Sequence, residues 1–273
     1  MSQRDKAERF RKLHEGPGAF VIANAWDAGS ARILAGHGFA ALATSSAAAA
    51  NTLGRRDGHI TRDQSLAHAR AIAEATSLPV SADLEKCFAD DPDEAAQTIR
   101  LAAEAGLAGG SIEDATGDPK NPRYDFELAV KRVAAAVRVA RSLAIPFVLT
   151  ARTENFVNGQ PDLGDTIKRL QAFEAAGADV LMAPGLPDLE AVRAVCNAVK
   201  KPVNFMVGIR GKSFSVAELE LAGVRRVSLA TSLYRAAMTG LIGAVVEIRD
   251  RGTFGYLDGN AASGDLGRFM AED

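Results

Sequence analysis

Cysteine is scarce in this chain: Cys87 and Cys196 are its only two in 273 residues, and they form no CxxC spacing. That excludes a disulfide framework and suits a reducing, cytoplasmic setting. An excess of either charge is also missing, because 32 Lys and Arg stand against 34 Asp and Glu for a net charge of −2. No basic field is available to hold a nucleic-acid backbone. No run approaches the roughly 20 apolar residues of a membrane span. The N-terminal stretch MSQRDKAERFRKL is charged and has no apolar core, so it does not read as a secretory signal. What the chain does have is apolar material, 47% of its residues, enough for a large core.

That material is laid out as short apolar runs alternating with longer helical patterns, with no linker between them. The strand candidates are Phe20–Ala23, Ala41–Thr44, Val80–Asp83, Gly110–Glu113, Phe147–Arg152, Val180–Ala183, Val203–Met206 and Val227–Leu229. Helical stretches fall between them at Ala28–His37, Asp63–Thr76, Pro92–Ala105, Asp125–Leu143, Asp165–Ala176, Leu189–Val199 and Val216–Ala222, and Leu233–Arg251 follows the last strand. Asp162 and Ser215 are placed as N-caps, and Asp91 precedes Pro92 at a first helical position. Gly38, Gly106, Gly177 and Gly223 each follow a helical run, where positive φ is wanted.

Eight strand-then-helix units in a chain of this length predict an α/β fold, a (β/α)8 TIM barrel; a doubly wound open sheet is the competing arrangement. The barrel would occupy about residues 17–251 of a single domain spanning 1–273, with a short helix over Asp5–His14 before it and Leu233–Arg251 as a C-terminal helical extension. Thr253–Asp273 would be a tail or an arm packed on a neighbour, with Tyr256, Leu257 and Phe269 as docking points.

In barrel enzymes chemistry collects at the C-terminal ends of the strands. There this sequence places Asp83 and Glu85, two apart and so on one side of an extended chain, followed by Glu113 and Asp114 after the fourth strand and Asp57 after the second. Carboxylates crowded together repel one another unless some are protonated or a cation sits among them. Mg²⁺ takes oxygen ligands, keeps several waters and needs only one or two direct carboxylates. Solvated loop acids paired with Arg55, Arg56 or Lys86 are the alternative reading of any single one. Arg152 ends the fifth strand, where its planar guanidinium suits a substrate carboxylate, or else an internal pair with Glu154 or Glu113. Ser45 and Ser46 follow the second strand, where small residues let backbone amides approach an anion or simply make a turn. Trp26 either walls the pocket or packs, and the Asn204 amide must be paired if buried.

The order of these motifs resembles the isocitrate lyase/phosphoenolpyruvate mutase superfamily from about Pro17 to about Ala236. The matching pieces include Asn24-Ala25, Thr44-Ser45-Ser46, Gly54 through Asp57, Pro79 through Glu85, Ser111 through Asp114, Ala151 through Glu154, and Lys201 through Asn204. The resemblance implies a Mg²⁺-dependent enzyme, Mn²⁺ serving as a substitute, that makes or breaks C–C or C–P bonds beside a 2-oxo acid. It implies Asp83 as direct metal ligand, Asp57, Glu85 and Glu113 on the metal or its waters, and Arg152 on the substrate carboxylate. The amides near Ser45 and Ser46 would meet the same substrate end. It also implies a homo-oligomer, a dimer or a tetramer with swapped C-terminal helices.

Two departures matter. The family's Asp-x-Asp is Asp83-Leu84-Glu85 here. The Lys-Lys/Arg-Cys-Gly-His loop of the isocitrate-type lyases is replaced by Ala115 through Tyr124, which holds neither cysteine nor histidine. A positioned general acid contributes about 10² to 10⁴ in rate, so its loss disfavours isocitrate-type cleavage. Lys120, Arg123 and Tyr124 could instead cap an anionic substrate, and His59 could shuttle a proton or lie solvated. The expectation is a Mg²⁺-dependent, decarboxylase-like lyase acting on a small 2-oxo or 2-hydroxy acid through a metal-bound enolate. Asp57, Glu113 and Arg152 would be its catalytic residues. The alternatives are a C–P enzyme (phosphonomutase or phosphonopyruvate hydrolase) and a non-catalytic 2-oxo acid binding protein.

Overall fold

The computed structural model describes residues 1–270. Eight parallel strands, β1 (Phe20–Asn24), β2 (Leu42–Ala43), β3 (Val80–Ala82), β4 (Gly109–Glu113), β5 (Val148–Arg152), β6 (Val180–Met182), β7 (Val203–Met206) and β8 (Arg226–Ser228), close into a barrel in sequence order. The seam is the parallel pairing of β1 with β8, Phe20 opposite Arg226 and Ile22 opposite Ser228, and it rules out the open sheet. Around the strands lie α1 (Gln3–Glu15), α2 (Ala28–Gly36), α3 (Ser46–Thr52), α4 (Arg62–Glu74), α5 (Pro92–Glu104), α6 (Phe126–Ser142), α7 (Leu163–Ala175), α8 (Leu189–Ala198), α9 (Val216–Leu221) and α10 (Ser232–Arg251). A short 3₁₀ turn (Gly255–Gly259) and α11 (Ser263–Gly267) follow.

Local sequence accounts for most boundaries. Asp91, Asp162 and Ser215 accept backbone N–H groups in the first turns of α5, α7 and α9, and Pro92 opens α5. Gly38, Gly106, Gly177 and Gly223 all have positive φ at the helix-to-strand turns. The strand edges differ from expectation by at most one residue. The largest such shift in consequence is at β8, which begins at Arg226 rather than Val227. α3 was not expected: Ser45 and Ser46 read as a turn, but the run Ala47–Ala50 continues them into a helix, with Ser45 as its N-cap.

α1 plugs the N-terminal end of the barrel. Phe10 is fully buried and clusters with Ala7, Ile22, Ala41, Ala108, Val148 and Val180 at the barrel bottom. Gly109 makes this possible, since a Cβ there would come within 2.6 Å of the Val148 carbonyl and 2.9 Å of the Phe10 ring. α10, by contrast, buries none of its residues, and Leu241, Ile242, Val245, Val246 and Ile248 are exposed along it. The tail returns to its own chain: the Phe269 ring lies over Gly36 and 5.1 Å from the His37 ring. Tyr256 is half-buried and Leu257 exposed, and the end of the expected tail, 271–273, lies outside the described residues.

Candidate active site

A small cavity of about 60 Å³ opens at the C-terminal end of the barrel, with Asp83, Ser45 and Arg152 at its rim and Asn204, Thr150 and Arg226 deeper down. Asp83 stands just past β3, and neutral donors and acceptors hold it there. Its N–H donates to Thr44 Oγ1 (3.0 Å), while Ser46 N–H donates to its Oδ2 (3.1 Å) and Ser111 Oγ to its Oδ1 (3.5 Å). The Ser46 side chain also bonds Asp57, which brings the loop after β2 to the same place.

Arg152 stands at the centre of the acids. Its Nη1 lies 3.4 Å from Glu113 Oε2 and 3.7 Å from Asp83 Oδ1, and its Nε donates to Glu154. The register explains the first contact, since Glu113 of β4 sits directly opposite Arg152 of β5. Burial opposes charge on the guanidinium, but Glu154, Glu113 and Asp83 outweigh it and keep the group firmly protonated. Burial pushes Glu113 well above the usual carboxylate range against the pull of Arg152, and it raises Glu154 and Asp57 as well. Glu85 rises to about 7, through burial first and the charges of Asp83 and Asp57 next. One guanidinium among five carboxyl groups leaves more acids than cations, and the raised acids share the crowding by holding protons unless a further cation sits among them.

The turn that carries Glu85 is strained. Glu85, Cys87 and Phe88 have φ of 51°, 60° and 59°, a left-handed backbone costing about 1–2 kcal/mol per non-glycine residue. Arg132 of α6 offsets this from below by donating to the carbonyls of Lys86, Ala89 and Asp90, and Thr98 Oγ1 donates to the Cys87 carbonyl (2.8 Å). Strain held this way is common at functional sites. It leaves Glu85 Oε1 buried with no hydrogen-bond partner.

An orphaned carboxyl oxygen beside fixed Asp83, among more acids than cations, fits a hard divalent cation. Among the described residues no three His, Cys, Asp or Glu side chains are close enough to enclose an ion by themselves. A cation held here would take most of its shell from water, as Mg²⁺ does. The acids gathered there are Asp83, Glu85, Glu113 and Asp57.

The other anticipated residues separate cleanly. Asn204 lines the cavity, with its amide fixed by Ser228 Oγ (3.0 Å) and Arg226 Nε (2.8 Å). Trp26 stands outside the cavity wall, edge-on to Tyr234 at 5.7 Å, and His59 is exposed. Cys87 is buried, donates to the Ser111 carbonyl (3.7 Å) and is pushed by burial to about 12, so it cannot replace the missing loop cysteine. Arg123 and Tyr124 are anchors rather than caps. Arg123 pairs with Asp165 (2.9 Å) and Gln160 (2.7 Å), and buried Tyr124 donates to Asp90. Arg226 and Thr150 were missed because the eighth strand was read one residue late and the inward face of the fifth was read only at its tip.

The family model for phosphoenolpyruvate phosphomutase matches residues 10–249. A crystal structure of a candidate lyase/mutase from Burkholderia cenocepacia J2315 superposes with a TM-score of 0.96 at 50% identity, covering 99% of this chain and 97% of that one. Oxaloacetate acetylhydrolase in complex with the product oxalate superposes with a TM-score of 0.87 at 26% identity, over 97% and 93% of the two chains. An oxaloacetate decarboxylase of Bradyrhizobium diazoefficiens is 30% identical over 210 residues, 74% of this chain and 71% of that protein. By its barrel, its motif order and these matches, the chain belongs to the phosphoenolpyruvate phosphomutase family of the isocitrate lyase/phosphoenolpyruvate mutase superfamily.

Proposed function

We propose that this protein is a Mg²⁺-dependent lyase that cleaves a C–C bond in a small 2-oxo or 2-hydroxy carboxylic acid, with decarboxylation of an oxaloacetate-like acid as the simplest case. One observation carries the reading: Arg152 sits among Asp83, Glu113 and Glu154 at the mouth of a small cavity, while the loop after β4 holds neither cysteine nor histidine. Mg²⁺, or Mn²⁺ in its place, would be held by Asp83 with Glu85, Glu113 and Asp57, and would supply positive charge against the negative charge developing on the 2-oxo oxygen.

The chain's own residues do the rest. Substrate carboxylate displaces the acids from Arg152 and is gripped by its planar fork. The Ser45 hydroxyl, after β2, and the Asn204 amide, on β7, are neutral groups lining the same cavity that orient the acid. On decarboxylation the C3–C4 bond breaks, CO₂ leaves, and the electron pair stays on C3 as an enolate. Water then protonates C3, so the departing group needs no enzyme base. This is why the absent loop cysteine weighs against isocitrate-type cleavage and not against decarboxylation.

The matching family model favours a second reading, C–P chemistry on a phosphonate acid. Both readings assign Arg152 and Asp83 the same roles. The unburied α10 supports assembly into a homo-oligomer through its apolar face, a dimer or tetramer that light scattering would count. The activity test is pyruvate release from oxaloacetate and from phosphonopyruvate with and without Mg²⁺, with 2-oxoglutarate, which cannot yield pyruvate, as a binding control. Mg²⁺-dependent pyruvate formation from oxaloacetate is the expected result. Mg²⁺-dependent binding without turnover of any of them would leave a 2-oxo acid binding protein in its place.

A further inference from the structure

Below Arg152 the barrel encloses a second guanidinium. Arg226 opens β8 and is 5% exposed. Its Nε donates to Asn204 Oδ1 (2.8 Å), its Nη2 to Thr150 Oγ1 (2.9 Å), and its Nη1 faces His14 Nε2 (3.3 Å). These contacts use three of its five N–H groups, and every acceptor is neutral. Among the described residues, no carboxylate lies within ion-pair distance of it. His14 is a neutral acceptor by construction: its Nδ1 donates to the Phe10 carbonyl (2.8 Å), which leaves the Nε2 lone pair for the arginine. Its ring is held edge-on to Phe10 (4.7 Å) and Phe20 (5.1 Å) in the α1 plug.

The strand register ties this floor to the mouth. Glu113 is opposite Arg152, Arg152 opposite Met182, Met182 opposite Asn204, and Asn204 opposite Arg226. Strand tilt carries that row down the barrel, so both arginines line one cavity from different depths. Thr150 precedes Arg152 by two on the same strand and therefore faces inward one layer lower. Bulky aliphatic side chains usually fill this interior. An arginine with only neutral partners pays for desolvation and returns an unneutralised positive charge beneath the site. Burial lowers it to about 9, which still leaves it protonated at neutral pH.

We propose that Arg226 is a positioning residue that fixes the Thr150 hydroxyl and the Asn204 amide and biases the cavity toward dianionic ligands, of which the planar enolate of a 2-oxo acid is the chemical type, with His14 supporting it from below. The proposal rests on the 2-oxo acid reading above and adds a charge preference to it. The N-terminal helix thereby becomes part of the site's support as well as a plug.

The test is calorimetric titration of the full chain at saturating Mg²⁺ with oxalate, a dianion of the enolate's shape, and with glycolate, a monoanion of similar size. Arg226→Met, Arg226→Lys and His14→Phe would be compared with the unaltered protein. Losing one fixed charge near the ligand costs about tenfold per unit of ligand charge. Arg226→Met should therefore weaken oxalate about 100-fold and glycolate about tenfold, while Mg²⁺ alone binds no more weakly. Arg226→Lys, which keeps the charge, should restore most of the oxalate-to-glycolate ratio. His14→Phe keeps the aromatic packing, removes the acceptor and should shift the ratio the same way by a smaller factor; it decides the matter if Arg226→Met does not fold. Equal weakening of both ligands, or of neither, would overturn the charge preference alone. Failure of the unaltered protein to bind either acid with Mg²⁺ would overturn the 2-oxo acid reading and this proposal with it.

Discussion

Arg152→Met leaves Asp83, Glu113 and Glu154 facing one another without the guanidinium that pairs with all three. Removing one partner of a buried ion pair typically costs 3–5 kcal/mol, because the charge left behind stays desolvated. Here the side chains are 17% exposed for Arg152, 19% for Asp83, 14% for Glu113 and 4% for Glu154, so water relieves part of the penalty. The low end, about 3 kcal/mol at pH 8, is the appropriate figure. For a chain of this size that corresponds to a fall in Tm of about 6–12 °C. The pH dependence has a fixed sign. Glu113 and Glu154 are raised above their ordinary values already, so they favour the fold when protonated and disfavour it as pH rises through their folded pKa. Losing Arg152 raises them further, so the deficit should be largest at pH 8 and shrink toward pH 5. Urea unfolding followed by circular dichroism in metal-free buffer, at both pH values, measures it. A variant as stable as the parent at pH 8, or a deficit that grows on acidification, would refute the picture of Arg152 as the counter-charge to a buried acid cluster.

Other outcomes follow from single contacts. Asp83→Ala should abolish calorimetrically detectable Mg²⁺ binding while leaving the far-ultraviolet spectrum intact; unchanged metal affinity would remove Asp83 from the ligand set. Burial, with Arg226 and Arg225 nearby, lowers His14 to about 3 from an ordinary 6.5. Its contribution to stability is therefore complete above pH 6.5 and is lost as pH falls toward 3, about 2 kcal/mol of it by pH 5. The urea midpoints of His14→Phe should show a flatter slope between pH 7 and 5 than those of the parent, and an identical slope would contradict a buried neutral histidine. A Cβ at Gly36 collides with the Phe269 ring, so Gly36→Leu should free the C-terminal segment to early proteolytic nicking without moving the main thermal transition. Equal protection in the variant would show that the segment does not depend on that contact.

Most of the barrel was legible because its signals are local. Apolar runs of strand length, Gly38, Gly106, Gly177 and Gly223 at positive φ, and caps such as Asp162 act within a few residues of themselves. Ring closure was not local, since pairing Phe20 with Arg226 joins the two ends of the barrel. α3 was hidden because serine favours a turn as readily as an N-cap, and only the alanines behind it settle the choice.

The acids at the strand ends could be read from position alone, and so could Arg152. What they do to one another could not. The contact of Arg152 with Glu113 depends on strand register, and the burial of Glu85 Oε1 without a hydrogen-bond partner depends on a left-handed turn pinned by Arg132, 47 positions along the chain. Arg226 gave no motif signal. It looks like one half of an Arg-Arg pair at a strand start, and only the barrel interior distinguishes buried Arg226 from half-buried Arg225.

The most direct test of the central claim is a crystal structure of the protein soaked with Mn²⁺ and oxalate, located by the anomalous signal of the metal. A manganese peak on the Asp83 carboxylate is expected, with one oxalate carboxylate within hydrogen-bond distance of the Arg152 guanidinium. A metal away from Asp83, or an oxalate bound without touching Arg152, would contradict it.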